Sequence, residues 1–345
     1  MPNVGRTGLA LALALAAAVG LAACGGSDEK PAAPEQLDPV KVGLVTDVGQ
    51  LNDRGFNHLA YMGLKEAERS LDVKGRVLES KSASDYVPNL TSLARQGYDL
   101  VIGVGFAQGD AVDAAATKWP QTSFAIIDVD QRFLKHKPEN VVGLLFKEQE
   151  VGYLAGYLAA LAEKRRPGKD VIGSVGGMKE PPVDRFIAGY QAGAKRAVPG
   201  IVLLNGYSRD WDDQAKCKEV ALNQIARGAG VVFQVAGGCG LGALDAAGER
   251  RVWGVGVDAD QSFLGPHILT SAQKKVDRAV YLTIEAVKNG TFRGGRNSLY
   301  GLEQDGVGLG KVSPKVPEAD LAATEKVKDE ILADEVAIPT SITAS

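Results

Sequence analysis

Along this chain of 345 residues, acids and aromatic rings recur just after short β-branched runs, where the carboxyl edge of an α/β sheet presents side chains to a ligand. The run ending at Thr46 is followed by Asp47 and then by Phe56-Asn57. A carboxylate there accepts hydrogen bonds from ligand N–H and O–H groups, and a Phe covers a flat ring. The plainer reading is a turn organised by Asp47 or Asn52, with Phe56 packed inward. Asp128 closes the run Ser123 to Ile127, and Trp211 sits in the loop Tyr207 to Asp213. Phe233 precedes Gln234-Val-Ala-Gly237-Gly238, whose glycines let backbone N–H groups approach a ligand closely. Asp258 follows the run Val252 to Val257, and Lys274 follows His267 to Ser271, where an ammonium donates to a hydroxyl or a ring acceptor. Taken singly, Asp128 also reads as a cap, the rings as packing and Lys274 as the start of a solvated helix. No nucleophile-base pair and no paired acids at catalytic spacing accompany them, so the expectation is binding without catalysis.

One enzymatic alternative is written in the chain. Gly238-Cys-Gly240-Leu-Gly-Ala243 fits the G-x-G-x-x-A dinucleotide template, with Asp258 placed 20 residues after Gly238 to hold an adenosine ribose. Such a fingerprint opens a dinucleotide fold, yet about two-thirds of this chain precedes it, and 42 glycines make chance matches common.

The residues ahead of these motifs say where they work. Arg6, the apolar run Gly8 to Ala23 and the box Leu21-Ala-Ala-Cys24-Gly25 read as a secretory leader (1–23) that ends in lipidation of Cys24. The expected location is the cell envelope, outside the cytoplasm, with Cys24 in the membrane. Residues 24–39, rich in Pro and Ala, read as a flexible tether. A net charge of -3 without a basic patch excludes nucleic acid as a partner. Three scattered His and three Cys make no zinc site, and no cofactor is expected. Cys217 and Cys239 either pair as a disulfide or pack as two buried thiols.

The elements that must position the motifs alternate strand and helix. Val40 to Thr46, Asp99 to Val104, Ser123 to Asp128 and Val141 to Phe146 read as strands, with helices from about Phe56 to Leu71 and from Glu150 to Ala162. Arg165-Arg-Pro-Gly-Lys169 breaks the chain before a second series: Val171 to Val175, Ile201 to Asn205, Gly230 to Val235 and Val252 to Val257. The expected class is α/β and bilobal, two parallel-sheet lobes joined by a multi-crossing hinge. Residues 40–146 with about 262–292 would form the first lobe, 147–261 with about 293–339 the second, and 340–345 a tail.

The lipidation box, Asp47 through Asn57, Phe124-Ala-Ile-Ile-Asp128, Tyr153-Leu-Ala-Gly-Tyr-Leu-Ala-Ala160, Phe233-Gln-Val-Ala-Gly-Gly238, Gly256-Val-Asp-Ala-Asp-Gln261 and Thr270-Ser-Ala-Gln-Lys-Lys-Val-Asp277, in this order, resemble the basic membrane protein family. The resemblance spans nearly all of the chain from Val40 onward. It implies a type I periplasmic-binding-protein fold and a monomeric, lipid-anchored substrate-binding protein of an ABC importer. Its implied partners are a permease and a purine nucleoside such as inosine, adenosine or guanosine. In that family the base lies between aromatic rings while an Asp and a Lys grip the ribose. Carried over, Phe56 with Asn57 beside it supplies the first ring, Asp47 and Asp128 the acids near the base, and Asp258 and Lys274 the ribose grip. The second ring is Phe233 or Trp211, and Gly237 lies in the adjoining loop. The same fold holding another nucleobase compound, a vitamin or a sugar is the alternative. Cys239 departs from the family, whose members commonly carry Thr there.

Overall fold

The β-branched runs form strands and the amphipathic stretches between them form helices, in two successive series. A computed structural model describes residues 38–342; the leader, Cys24 and nearly all of the tether lie outside the described residues, as do 343–345. The first series comprises β1 (Val40–Val45), α1 (Phe56–Ser70), β2 (Val73–Leu78), α2 (Tyr86–Arg95), β3 (Leu100–Gly103), α3 (Gly109–Lys118), β4 (Ser123–Ile127) and β5 (Val141–Phe146). After α4 (Glu148–Lys164) come β6 (Val171–Gly176), α5 (Pro181–Ala197), β7 (Val202–Tyr207), α6 (Gln214–Ala226), β8 (Val231–Val235), α7 (Gly240–Glu249), β9 (Trp253–Asp258) and β10 (Ile268–Lys274). The chain continues through α8 (Val276–Lys288), β11 (Arg296–Tyr300), β12 (Val307–Leu309) and α9 (Glu318–Leu332).

Two six-stranded sheets result, in the orders β2-β1-β3-β4-β5-β11 and β7-β6-β8-β9-β10-β12. Neighbours are parallel except β12, which runs antiparallel to β10. β3, β6 and β8 are buried along their whole lengths, as strands covered on both faces must be. The first five strands of each sheet share one order and direction, so β1 corresponds to β6, β4 to β9 and β5 to β10, and only the sixth strands differ. In each, the order reverses beside the first strand, and ligands of such sheets bind beyond the carboxyl ends at that point.

The expected division of residues shifts in two places. β10, expected with the first lobe, pairs with β9 in the second sheet, because the short link after β9 brings the next parallel strand alongside it. β11, expected with the second, extends the first sheet against β5, with Ser298 opposite Leu144. The crossings therefore fall at β5 to α4, β10 to α8 and β11 to β12. Lys147 N–H donates to the Tyr300 carbonyl and Lys275 N–H to the Gly306 carbonyl, both at 2.9 Å, which ties the crossings together.

α4 packs on α5 through glycines on both helices. A Cβ on Gly156 would strike the Tyr190 carbonyl, and one on Gly193 that of Tyr153, so the backbones themselves are in contact. That approach seats Glu148, at the start of α4, against Arg185 of α5 (Nε to Oε2, 2.6 Å). In the second half Cys217 and Cys239 form a disulfide, Cα to Cα 5.6 Å, fastening α6 to the residue ahead of α7. Gly156→Val should lower the unfolding free energy by roughly 1–3 kcal/mol through overpacking. Gly308→Ala, where an added Cβ meets nothing within 4 Å, should stay within about 0.5 kcal/mol. Urea unfolding followed by circular dichroism checks the pair, and equal small effects would show that α4 and α5 can separate without loss.

Candidate ligand-binding site

The loops after β1, β3 and β4 face those after β6, β7, β8 and β9 across a cleft holding about 610 Å³ of empty space, mouth included. Two contacts bridge the halves beside it: Gln50 Nε2 donates to Asp212 Oδ2 (3.1 Å) and Gln261 Nε2 to the Arg54 carbonyl (3.3 Å).

At the end nearest the crossings, Lys274 is the last residue of β10 rather than the first of a helix, and is 1 % exposed. Its ammonium donates to Asp128 Oδ1 (2.6 Å) and Glu148 Oε1 (3.0 Å), and lies 5.1 Å from the centre of the Phe56 ring and 4.9 Å from that of Phe146. Burial alone would discharge it, but the carboxylates of Asp128, Glu148 and Asp258 outweigh burial and hold its pKa above the ordinary lysine value. Glu148 is held below its ordinary value, since Lys274 and Arg185 overcome its burial. An ammonium has three N–H groups, so one remains for a ligand.

Asp258 lines the same end and differs from Asp128 in having no hydrogen-bond donor among the described residues, though it is only 8 % exposed. Burial pushes its pKa up to about 7; Lys274 pulls it down, while Asp53, Asp128 and Glu148 push it up. Both acids stand at strand ends in the left-handed region, with φ of 73° for Asp128 and 62° for Asp258. Each opens the same pattern at the corresponding place in its sheet, Asp128-Val-Asp-Gln-Arg-Phe-Leu134 and Asp258-Ala-Asp-Gln-Ser-Phe-Leu264.

Aromatic walls come from both halves. Phe56, half-buried at the start of α1, supplies one, and Trp211 supplies another, its ring lying on Gly177, where a Cβ would strike it. Phe233 does not reach the cleft. It is 0 % exposed, packed edge-on to Phe186 (centroids 6.2 Å, 74°) and against Tyr190 (4.9 Å), because its position inside β8 points it beneath the sheet. Phe186 of α5 is the ring that reaches the cleft from that region.

At the opposite end Asp47 accepts from the Tyr86 hydroxyl and from Val48 N–H (2.6 Å), and burial raises its pKa against those bonds. Asn57 lines the cleft with its amide already engaged: Oδ1 accepts from Asp47 N–H (3.2 Å) and Nδ2 donates to the Gly49 carbonyl (3.1 Å), so it shapes the loop that presents Asp47. Gly237, at φ 54°, brings backbone to the wall beside Trp211. Asp53, Phe106, Glu180 and Phe186 also line the cleft and were not singled out from sequence. Glu180 had a signal, since Pro181-Pro182 marks the start of a helix just after a strand, as the Asp47 loop does.

In the G-x-G-x-x-A segment, a Cβ on Gly240 would strike Gln234 and one on Gly242 the Gln214 backbone. Those glycines serve helix packing, and the dinucleotide reading falls.

Residues 40–341 match the family model Bmp, described as ABC transporter substrate-binding protein PnrA-like. The chain is 34% identical to the ABC transporter nucleoside-binding protein BmpA of Lactococcus lactis subsp. cremoris, over 95% of this chain and 97% of that one. Identity is also 34% with the CD4+ T-cell-stimulating antigen of Listeria monocytogenes, over 96% and 97%. Among solved structures, an ABC transporter solute-binding protein from Aeropyrum pernix K1 shares the fold with a TM-score of 0.80, at 27% identity over 88% of this chain and 94% of that one. The family model and the Lactococcus and Aeropyrum proteins are by name transport receptors rather than enzymes, which implies a small-molecule ligand, a permease partner and an extracytoplasmic, membrane-anchored location. Among the described residues no helix is long and apolar enough to cross a membrane. The chain belongs to the Bmp family of PnrA-like ABC transporter substrate-binding proteins.

Proposed function

We propose that the ligand is a purine nucleoside, captured in this cleft and delivered to the permease by a receptor anchored through Cys24. The observation that carries the reading is the pairing at one end of the cleft: a buried acceptor without a donor, Asp258, beside a buried ammonium, Lys274, with one N–H to spare. A ribose matches that pair. Its hydroxyls donate to the carboxylate and accept from the ammonium, while a flat base fits between Phe56 and the rings of Trp211 and Phe186. The printed name of the Lactococcus relative, a nucleoside-binding protein, supports the same choice.

Asp258→Ala should weaken binding of inosine, adenosine or guanosine by about 10- to 100-fold, the range of a hydrogen bond to a charged group, and leave the free bases within about threefold. Titration calorimetry with nucleosides and bases checks this. Equal losses for both would remove Asp258 from the ribose, and a wild-type protein that binds no purine nucleoside would remove the function.

The same carboxyl sets a pH dependence. The groups facing Asp258 are Lys274, Asp53, Asp128 and Glu148, and its pKa without ligand lies at about 7. Hydroxyl donors favour the carboxylate, so binding expels its proton. Affinity is then highest above that pKa and falls as pH drops through it, by about tenfold between pH 8 and pH 6. Asp258→Asn should bind more weakly and lose at least this share of the pH slope. A slope unchanged in that variant assigns the proton to another group.

A further inference from the structure

Glu180 stands at the end of the cleft away from Lys274. The sheet orders set that axis: β9 and β10, which carry Asp258 and Lys274, lie toward the crossings, whereas β1 and β6, which lead to Asp47 and Glu180, lie toward the edges formed by β2 and β7. There Asp47, Gly49, Glu180 and Trp211 line both the cleft and an outer groove of about 1500 Å³ that opens to solvent. Glu180 is the residue ahead of α5, and its backbone is pinned: N–H donates to the Met178 carbonyl (3.1 Å), and the carbonyl accepts from Asp184 N–H (2.9 Å). Its side chain makes no capping bond, and among the described residues it has no hydrogen bond or ion pair.

The remaining acids of the cleft, Asp258 apart, are satisfied within the protein. Asp47 is held by Tyr86, Asp128 by Lys274, and Asp53 by the N–H groups of Gly55, Asn57 and His58. The charges that shift Glu180 are those of acids. Burial pushes its pKa up to about 7, helped by the charge of Asp47 and, more weakly, by that of Asp128 across the cleft. A pinned, half-buried carboxyl with no internal donor among the described residues is completed by a donor that arrives with the ligand.

We infer that Glu180 is a specificity-determining residue: it reads the edge of the base away from the ribose, and selects nucleosides that offer an N–H donor there, whether an exocyclic amine or a ring amide. The inference rests on the nucleoside reading above. It explains why the acid stands where base and outer groove meet, and it makes Asp258 and Glu180 two open acceptors at opposite ends of one ligand.

The test uses adenosine, inosine and purine riboside, which lacks both the amine and the ring N–H, titrated calorimetrically into wild-type protein, Glu180→Gln and Glu180→Ala. Wild type should prefer adenosine or inosine over purine riboside by about tenfold or more. Glu180→Ala should shrink that preference to within about threefold while changing purine riboside affinity less than threefold; Glu180→Gln, which keeps an acceptor oxygen, should fall between. Thermal midpoints equal to or above wild type would accompany both variants, since no internal partner is lost. Weakening of all three ligands by one common factor, or a preference untouched in Glu180→Ala, overturns the role of Glu180 while the nucleoside reading stands. A wild-type protein that binds none of the three overturns that reading and this inference with it.

Discussion

The arrangement depends on one buried ammonium. Lys274 is drawn from water at the point where both halves, the crossings and the cleft meet, and a bare ammonium there would cost several kcal/mol. Its partners come from separate parts of the chain: Asp128 from the end of β4, Glu148 from the start of α4, and through Glu148 the guanidinium of Arg185 on α5. Removing one member leaves another buried and unpaired, a loss of about 3–5 kcal/mol in comparable pairs. The glycine contacts of α4 and α5 thus matter to the site as well as to the core. Without that close approach Arg185 would not reach Glu148, and Glu148 would be a poorer partner for Lys274.

The same ammonium breaks the symmetry of a duplicated frame. Asp128 and Asp258 are equivalent in strand position, in backbone conformation and in the pattern that follows each. The residues that end the neighbouring strands are equivalent too, yet one is Phe146 and the other Lys274. A single cation therefore serves two acids. It bonds directly to Asp128 and only lowers the energy of the Asp258 carboxylate from a distance. One acid becomes structure and the other remains an acceptor.

Much of this was legible in the residue order. Strong β-branched runs such as Val171–Val175 and Val252–Val257 announced the strands, and the acids at their ends fell where the switch in strand order puts a ligand. The edge strand β2, Val73–Leu78, does alternate, with exposed Lys74 and Arg76 between Val73, Gly75 and Val77, but over so short a run, with glycine at one of the three inward positions, the pattern is too weak to mark a strand. Phe233 and Phe186 show a different limit. Both are aromatic and both lie near the cleft, but which one reaches it depends on the face of β8 and the rotation of α5, and these follow from packing between distant segments. Lys274, expected beside a ligand, lines the cleft, but its bonds to Asp128 and Glu148 join residues more than 120 positions apart, a pairing that no local spacing encodes.

The buried Lys274–Asp128 pair bridges the two sheets at the inner end of the cleft, and little bridges them nearer its mouth. Gln50 to Asp212, which is exposed, and Gln261 to the Arg54 carbonyl, which is partly buried, are hydrogen bonds of the kind that contribute on the order of 1 kcal/mol. Against them stand two carboxyls without donors, Asp258 and Glu180, each raised toward pH 7 by burial and by neighbouring acids. Near the mouth the two halves are thus weakly held together, while two carboxyls that face the cleft stay without donors. A ligand that donates to those carboxyls binds the closed form better than the open one, and only such a difference in affinity can shift the balance between them. A receptor that must show a permease whether it is loaded gains from such a difference in affinity.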